Sequence, residues 1–182
     1  MRRARIEMIY HLRSADCASA YRNPGRAVWR LQRHLQVDVG LLPAAKSAKT
    51  MPERDFELHC LIQHLQRTDG AHAPLQILLD AMVDDANANS SGEDAGNLAH
   101  RIAIDPAAAP FIAAESATAV RDALTRVAAL APIRVPAFLI DDKHLLHGYA
   151  SPAFLHDLLQ TLAEPLRRNS SNLWTELSKW MS

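Results

Sequence analysis

Residues 134–152 read RVPAFLIDDKHLLHGYASP, and this stretch decides how the rest of the chain is understood. Arg134 to Ile140 is apolar and opens on Val135-Pro136, which makes it a strand that starts at a proline. Asp141-Asp142 forms a tight turn, and Lys143 to Gly148 (KHLLHG) is the partner strand of a hairpin. Ser151-Pro152 then caps and starts a helix that runs to about Ala163, with Phe154, Leu155, Leu158, Leu159 and Leu162 on its buried side. The stretch closes the chain as strand, strand, helix.

Working back to the start, Ile6 to Leu12 (IEMIYHL) is a short apolar strand, ended by the polar cluster Arg13-Ser14-Ala15-Asp16. A loop holding Cys17 leads through Pro24-Gly25 to a helix over Arg26 to Gln36. Val28, Leu31 and Leu35 line its apolar face, and Arg26, Arg30 and Arg33 form a solvated one. Gln36 to Leu42 is a second strand, limited by Gly40 and Pro43. Strand, helix and strand at this spacing make a βαβ unit with parallel strands.

The region between these two halves has a different pattern. Pro52 to Gln66 and Pro74 to Val83 carry apolar residues at helical spacing, whereas Asp84 to Gly96 (DDANANSSGEDAG) is a polar loop. Three alanine-rich helices follow over Asn97 to Ile104, Pro106 to Ala114 and Ser116 to Ala131, with Asp105 and Ser116 as caps. The expected organisation is therefore one α/β domain from residues 1–50 and 132–165, interrupted by helices over 51–131. Residues 166–182 form an amphipathic tail, whose Trp174 and Trp180 read first as packing anchors and second as a homodimer contact.

The chain has 182 residues, 48% hydrophobic and 22% charged, enough to bury about 70% of its unfolded surface without a staple. Lys plus Arg and Asp plus Glu are 20 each, and this balance argues against a partner such as nucleic acid. No stretch approaches the ~20 apolar residues that span a bilayer, and the basic opening lacks the apolar run of a secretory signal. The expectation is a cytoplasmic protein with no membrane partner, whose two cysteines, Cys17 and Cys60, stay reduced.

The block from Val135 to Lys143, with Gly148, Ser151 and Pro152, resembles the closing half of a thioredoxin-like fold of the DsbA type. Leu98 to Ala109, continuing through Ser116 to Ala131, is similar to the last helices before that strand in the FrnE-like branch. Asp16-Cys17-Ala18-Ser19-Ala20-Tyr21 falls where the family places its C-x-x-C site at the start of the first helix, and Gly40 to Pro43 resembles the segment following its second strand.

The resemblance implies thiol–disulfide exchange. A cysteine at a helix N-terminus is nucleophilic because free N–H groups and the helix dipole favour thiolate over thiol. Its partner thiol, one turn on, resolves the mixed disulfide. Here that second position is Ala20, so the implied activity is a monothiol one, with Cys17 as nucleophile and a protein thiol or glutathione as second substrate. Substrate contacts then fall to Val135, to Pro136 (cis in the family), and to Tyr21 and Ala20.

Two alternatives share the fold. Kappa-class glutathione transferases and related isomerases carry a serine at the Cys17 position and bind glutathione. A redox-inactive binding protein is the other.

The remaining candidates have simpler readings. His59, Cys60 and His64 suggest a metal only weakly, and a core cysteine with a surface histidine accounts for the pair Cys60 and His64. His144 and His147 face opposite sides of a strand. His11, next to the Cys17 loop, either tunes the thiol or serves a structural role. No metal or cofactor is expected.

Overall fold

The computed structural model describes residues 2–12, 14–31, 35–45, 51–68, 72–87, 95–130 and 133–163. The expected tail helix and its tryptophans Trp174 and Trp180 lie outside these residues, as do Arg33 and most of the polar loop before Gly96.

Strand β1 (Arg2–Tyr10) leads into helix α1 (Ala15–Leu31) and strand β2 (Leu35–Pro43). Among the described residues there follow helices α2 (Glu53–Arg67), α3 (His72–Asn87), α4 (Ala95–Arg101) and α5 (Ala109–Ala128), with a 3-10 turn at Pro106–Ala108. The last described elements are β3 (Ala137–Ile140), β4 (His144–His147) and α6 (Pro152–Ala163). The sheet order is β2-β1-β3-β4. β1 and β2 are parallel, as the βαβ reading requires, whereas β1–β3 and β3–β4 are antiparallel. The architecture is mixed α/β: a βαβ half, a helical stretch and a ββα half around one four-stranded sheet.

Strand alternation assigns the two faces. Ile6, Met8 and Tyr10 of β1, Leu41 of β2 and Phe138 and Ile140 of β3 enter the main core, with Cys17 and Ala20 of α1 and Leu155, Leu158 and Leu159 of α6. Ile9, Leu42, Ala137 and Leu139 point the other way, onto Val127 of α5. Helix α2 serves both sides: Leu58, Leu61, Ile62 and Leu65 join the main core, while Cys60 packs on Val120 and Leu124 of α5.

The hairpin turn is as the sequence indicates. Asp141 and Asp142 have φ of 49° and 59°, and the Lys143 N–H donates to the Ile140 carbonyl at 3.0 Å. Two consecutive positive φ values are the signature of a type I′ turn, whose twist matches that of the strands it joins. The strand before it is shorter than expected, since ladder pairing begins at Ala137 rather than at Arg134. Ser151 caps α6, its Oγ accepting the Phe154 N–H at 3.2 Å.

Two sequence expectations are corrected. The first helix starts at Ala15, not after Pro24-Gly25. Cys17, Ala20 and Pro24 are all buried at spacings of three and four, so one apolar stripe carries the helix through the proline. Residues 106–131 likewise do not form two helices split at Ser116. Ile112, Ser116, Val120, Leu124 and Val127 form one continuous buried face of α5, and Ser116 lies inside it rather than capping anything. Asp105 does cap, since its Oδ1 accepts the Ala107 N–H of the 3-10 turn at 2.9 Å.

β2 is an edge strand, and α2 covers it. Gln66 Oε1 accepts the Leu41 N–H at 2.6 Å, and Gln66 Nε2 donates to the Leu41 carbonyl at 3.4 Å. A side-chain amide thus satisfies main-chain groups that another strand would otherwise pair with.

Candidate active site

Register places the candidate residues. β1 ends at Tyr10, and Ile9 pairs with Ala137, so Pro136 lies at the end of the sheet where β1 hands over to α1. The Val135–Pro136 peptide bond is cis, Pro136 is buried, and its carbonyl accepts the Gly148 N–H at 2.7 Å. Val135 is half-buried and packs against both the main core and the α5 side.

Cys17 is the third residue of α1. Ser14 is the N-cap: its Oγ accepts the Cys17 N–H at 3.3 Å and its carbonyl accepts the Ala18 N–H at 3.1 Å. Asp16 adds an acidic residue to the first turn, where the helix dipole favours it. The Cys17 sulfur points inward, toward the chain leaving β1, and accepts the main-chain N–H of His11 at 3.5 Å.

The thiol is only 2% exposed and Ala20 has no exposed surface at all. Ala20 therefore belongs to the core rather than to a substrate-contact surface. Tyr21 is half-buried, and burial pushes its hydroxyl up to about 12, which keeps it protonated. Ser14, three residues before Cys17, is half-exposed and was not singled out from the sequence for this position. The signal was there as a helix-capping residue ahead of an acidic first turn, but the Pro24-Gly25 pair drew the helix start downstream.

Beneath Cys17 lies a group of titratable side chains that sequence reasoning did not bring together. The Tyr10 hydroxyl is 2.6 Å from His59 Nδ1, with the two rings edge to face at 5.4 Å, and both residues are buried. Burial holds the Tyr10 hydroxyl well above its usual value, with smaller contributions from Cys60 and Cys17. Burial also lowers His59 to about 3, helped by His11, so its imidazole is neutral. Cys60 is pushed up to about 11 by burial and is an inert core thiol. The His11 ring donates through Nδ1 to the Leu12 carbonyl at 2.6 Å. Its main chain, not its imidazole, reaches the thiol. No group of three or more metal-binding side chains occurs among the described residues.

The fold described above has counterparts among solved structures. A "probable DsbA oxidoreductase" from Streptomyces coelicolor superposes with a TM-score of 0.58 at 18% identity, over 91% of this chain and 94% of that one. This is the DsbA-type thioredoxin fold. A thioredoxin-like oxidoreductase from Silicibacter pomeroyi matches with a TM-score of 0.61 at 11% identity, over 87% of this chain and 86% of that one. Reduced DsbA from Mycobacterium tuberculosis matches at 0.57 and 12% identity, over 90% and 84%. No family model and no curated protein matches the sequence. The similarity to DsbA is therefore one of fold.

Proposed function

We propose that this protein performs thiol–disulfide exchange as a monothiol, with Cys17 as the reacting sulfur and a protein thiol or glutathione as second substrate. The observation that supports it is the Cys17 sulfur on the first turn of α1 with the His11 N–H directed at it. The Cys17 thiol gives up its proton to solvent, and the thiolate attacks one sulfur of a substrate disulfide. The substrate S–S bond breaks, its second sulfur leaves as thiolate and takes a proton, and Cys17 is held in a mixed disulfide. A second thiol attacks the substrate sulfur of that bond and releases Cys17. The Cys17 side chain is buried, so exchange requires local opening around the first turn of α1.

The test is incubation of the folded protein with oxidised glutathione, followed by intact-mass measurement and peptide mapping. The expected result is one adduct on Cys17 that free thiol removes. Cys17 left unmodified under conditions where the unfolded chain reacts overturns the reading.

A second reading rests on Ser14. Its Oγ accepts the Cys17 N–H, which leaves the hydroxyl proton to donate outward at the positive end of α1. A hydroxyl so placed suits holding the sulfur of a thiol substrate without bonding to it, as a glutathione-dependent transferase or isomerase requires. In that case Ser14→Ala weakens glutathione binding and Cys17→Ala does not. Absence of both adduct and binding supports a redox-inactive binding protein.

A further inference from the structure

The peptide unit that joins Tyr10 to His11 is held at both ends. Its carbonyl, on Tyr10, accepts the Ala44 N–H at 2.7 Å, and its N–H, on His11, donates to Cys17 Sγ at 3.5 Å. A peptide whose carbonyl already accepts a hydrogen bond is a stronger donor through its N–H. These bonds hold the N–H on the sulfur only while the end of β1 that carries the unit is itself constrained. The side chain of Tyr10 supplies that constraint, because its hydroxyl meets His59 Nδ1 at 2.6 Å, 49 residues away on α2.

We infer that Tyr10 and His59 are positioning residues for Cys17: their buried hydrogen bond fixes the peptide whose N–H faces the sulfur. Neither side chain touches a substrate sulfur or carries charge at neutral pH. His59 is the anchor and Tyr10 the arm, so a helix from the stretch between β2 and β3 sets the environment of a thiol on α1. A purely packing role does not account for a polar pair here, since an apolar pair of similar size fills the same space without a hydrogen bond that must be satisfied. This inference rests on the reading of Cys17 as the reacting thiol.

The experiment compares the rate at which a small aromatic disulfide modifies Cys17 at a fixed neutral pH, with the site confirmed by peptide mapping. Four proteins are used: wild type, Tyr10→Phe, the double variant Tyr10→Phe with His59→Leu, and His59→Asn. The double variant removes both hydrogen-bonding partners together, which protects the fold, whereas a single truncation leaves one buried group unpaired. His59→Asn keeps a polar atom where Nδ1 stood. Tyr10→Phe and the double variant are expected to react about threefold to tenfold more slowly, in line with the loss of one oriented hydrogen bond. His59→Asn is expected to recover most of the rate.

If the folded double variant reacts as fast as wild type or faster, the inference is wrong. It is equally wrong if His59→Asn slows the reaction as much as the double variant does. If wild-type Cys17 takes up no disulfide at all, the exchange reading falls, and the positioning role is then read from alkylation rates of the same four proteins, with the same ordering expected.

Discussion

Ser14 Oγ sits 3.3 Å from the Cys17 amide, across the start of α1. Ser14 thus stands outside the helix and Cys17 within its first turn, one turn apart in the same way that Cys17 and Ala20 are one turn apart. Only the first pair straddles the helix boundary.

That difference predicts which cysteine substitution rebuilds a dithiol. Two helical residues three apart hold their Cβ atoms about 5–6 Å from each other, whereas a disulfide needs roughly 3.5–4.5 Å. Ser14→Cys, at a non-helical N-cap, is expected to form a disulfide with Cys17 on mild oxidation, lost on reduction. Ala20→Cys is expected to leave both thiols free. Thiol counting before and after oxidation distinguishes the two.

Replacing the cap without adding sulfur has its own cost. Ser14→Ala leaves the Cys17 N–H without its acceptor and is expected to lower stability by about 1 kcal/mol, measured by urea unfolding.

Glu7 makes a second structural test. It is a buried carboxylate in the middle of β1 that receives Arg126 through both oxygens, at 2.9 and 2.5 Å, and Arg5 at 2.6 Å. Arg126 also reaches Asp142 in the hairpin turn, so one guanidinium joins α5, β1 and the β3–β4 turn. Arg126→Met leaves Glu7 with Arg5 as a remaining cationic partner and is expected to cost about 2 kcal/mol. Arg126→Met combined with Glu7→Leu is expected to recover much of that loss, and chemical denaturation of the set measures it.

His59 predicts the acid side of the stability curve. Its folded-state value of about 3 lies below the usual histidine value of 6.5, so between these two values the unfolded chain binds a proton that the folded chain does not. Stability from this group is therefore intact above pH 6.5 and falls as pH drops toward 3. From pH 7 to pH 5 the loss is about 2 kcal/mol. The double variant Tyr10→Phe with His59→Leu is expected to flatten that slope when unfolding free energies are compared at the two pH values.

Ala103 ends α4 in the left-handed region, with φ of 59°, while the Ile104 N–H reaches back to the Ala99 carbonyl at 2.9 Å and the Ala103 N–H to the His100 carbonyl at 3.1 Å. This is a Schellman ending with alanine where glycine is preferred. Ala103→Gly relieves the strain and is expected to raise the melting temperature, corresponding to about 1 kcal/mol.

The strands and most helices were legible because their patterns are local. The short apolar runs in IEMIY and AFLI, apolar spacing in α2, α3 and α6, and the Asp141-Asp142 turn each depend on neighbours within a few residues. Where reading failed, a local signal competed with burial. Pro24-Gly25 looked like a helix start, but the buried stripe of Cys17, Ala20 and Pro24 carries α1 past it. Ser116 looked like a cap, but it lies on the buried face of α5.

Of the candidate site, the sequence by itself determined the parts: a thiol near the end of the first strand, a proline opening the third, and no second cysteine one turn beyond the first. Only the tertiary structure decided that Ser14 stands outside the helix and Cys17 within it, that the thiol faces inward, and that Tyr10 meets His59 while Glu7 meets Arg126. Those pairings join residues 49 and 119 positions apart. Periodicity carries no information at such separations; they are set by how distant elements register against a shared sheet, where a buried polar group is stable only beside its partner.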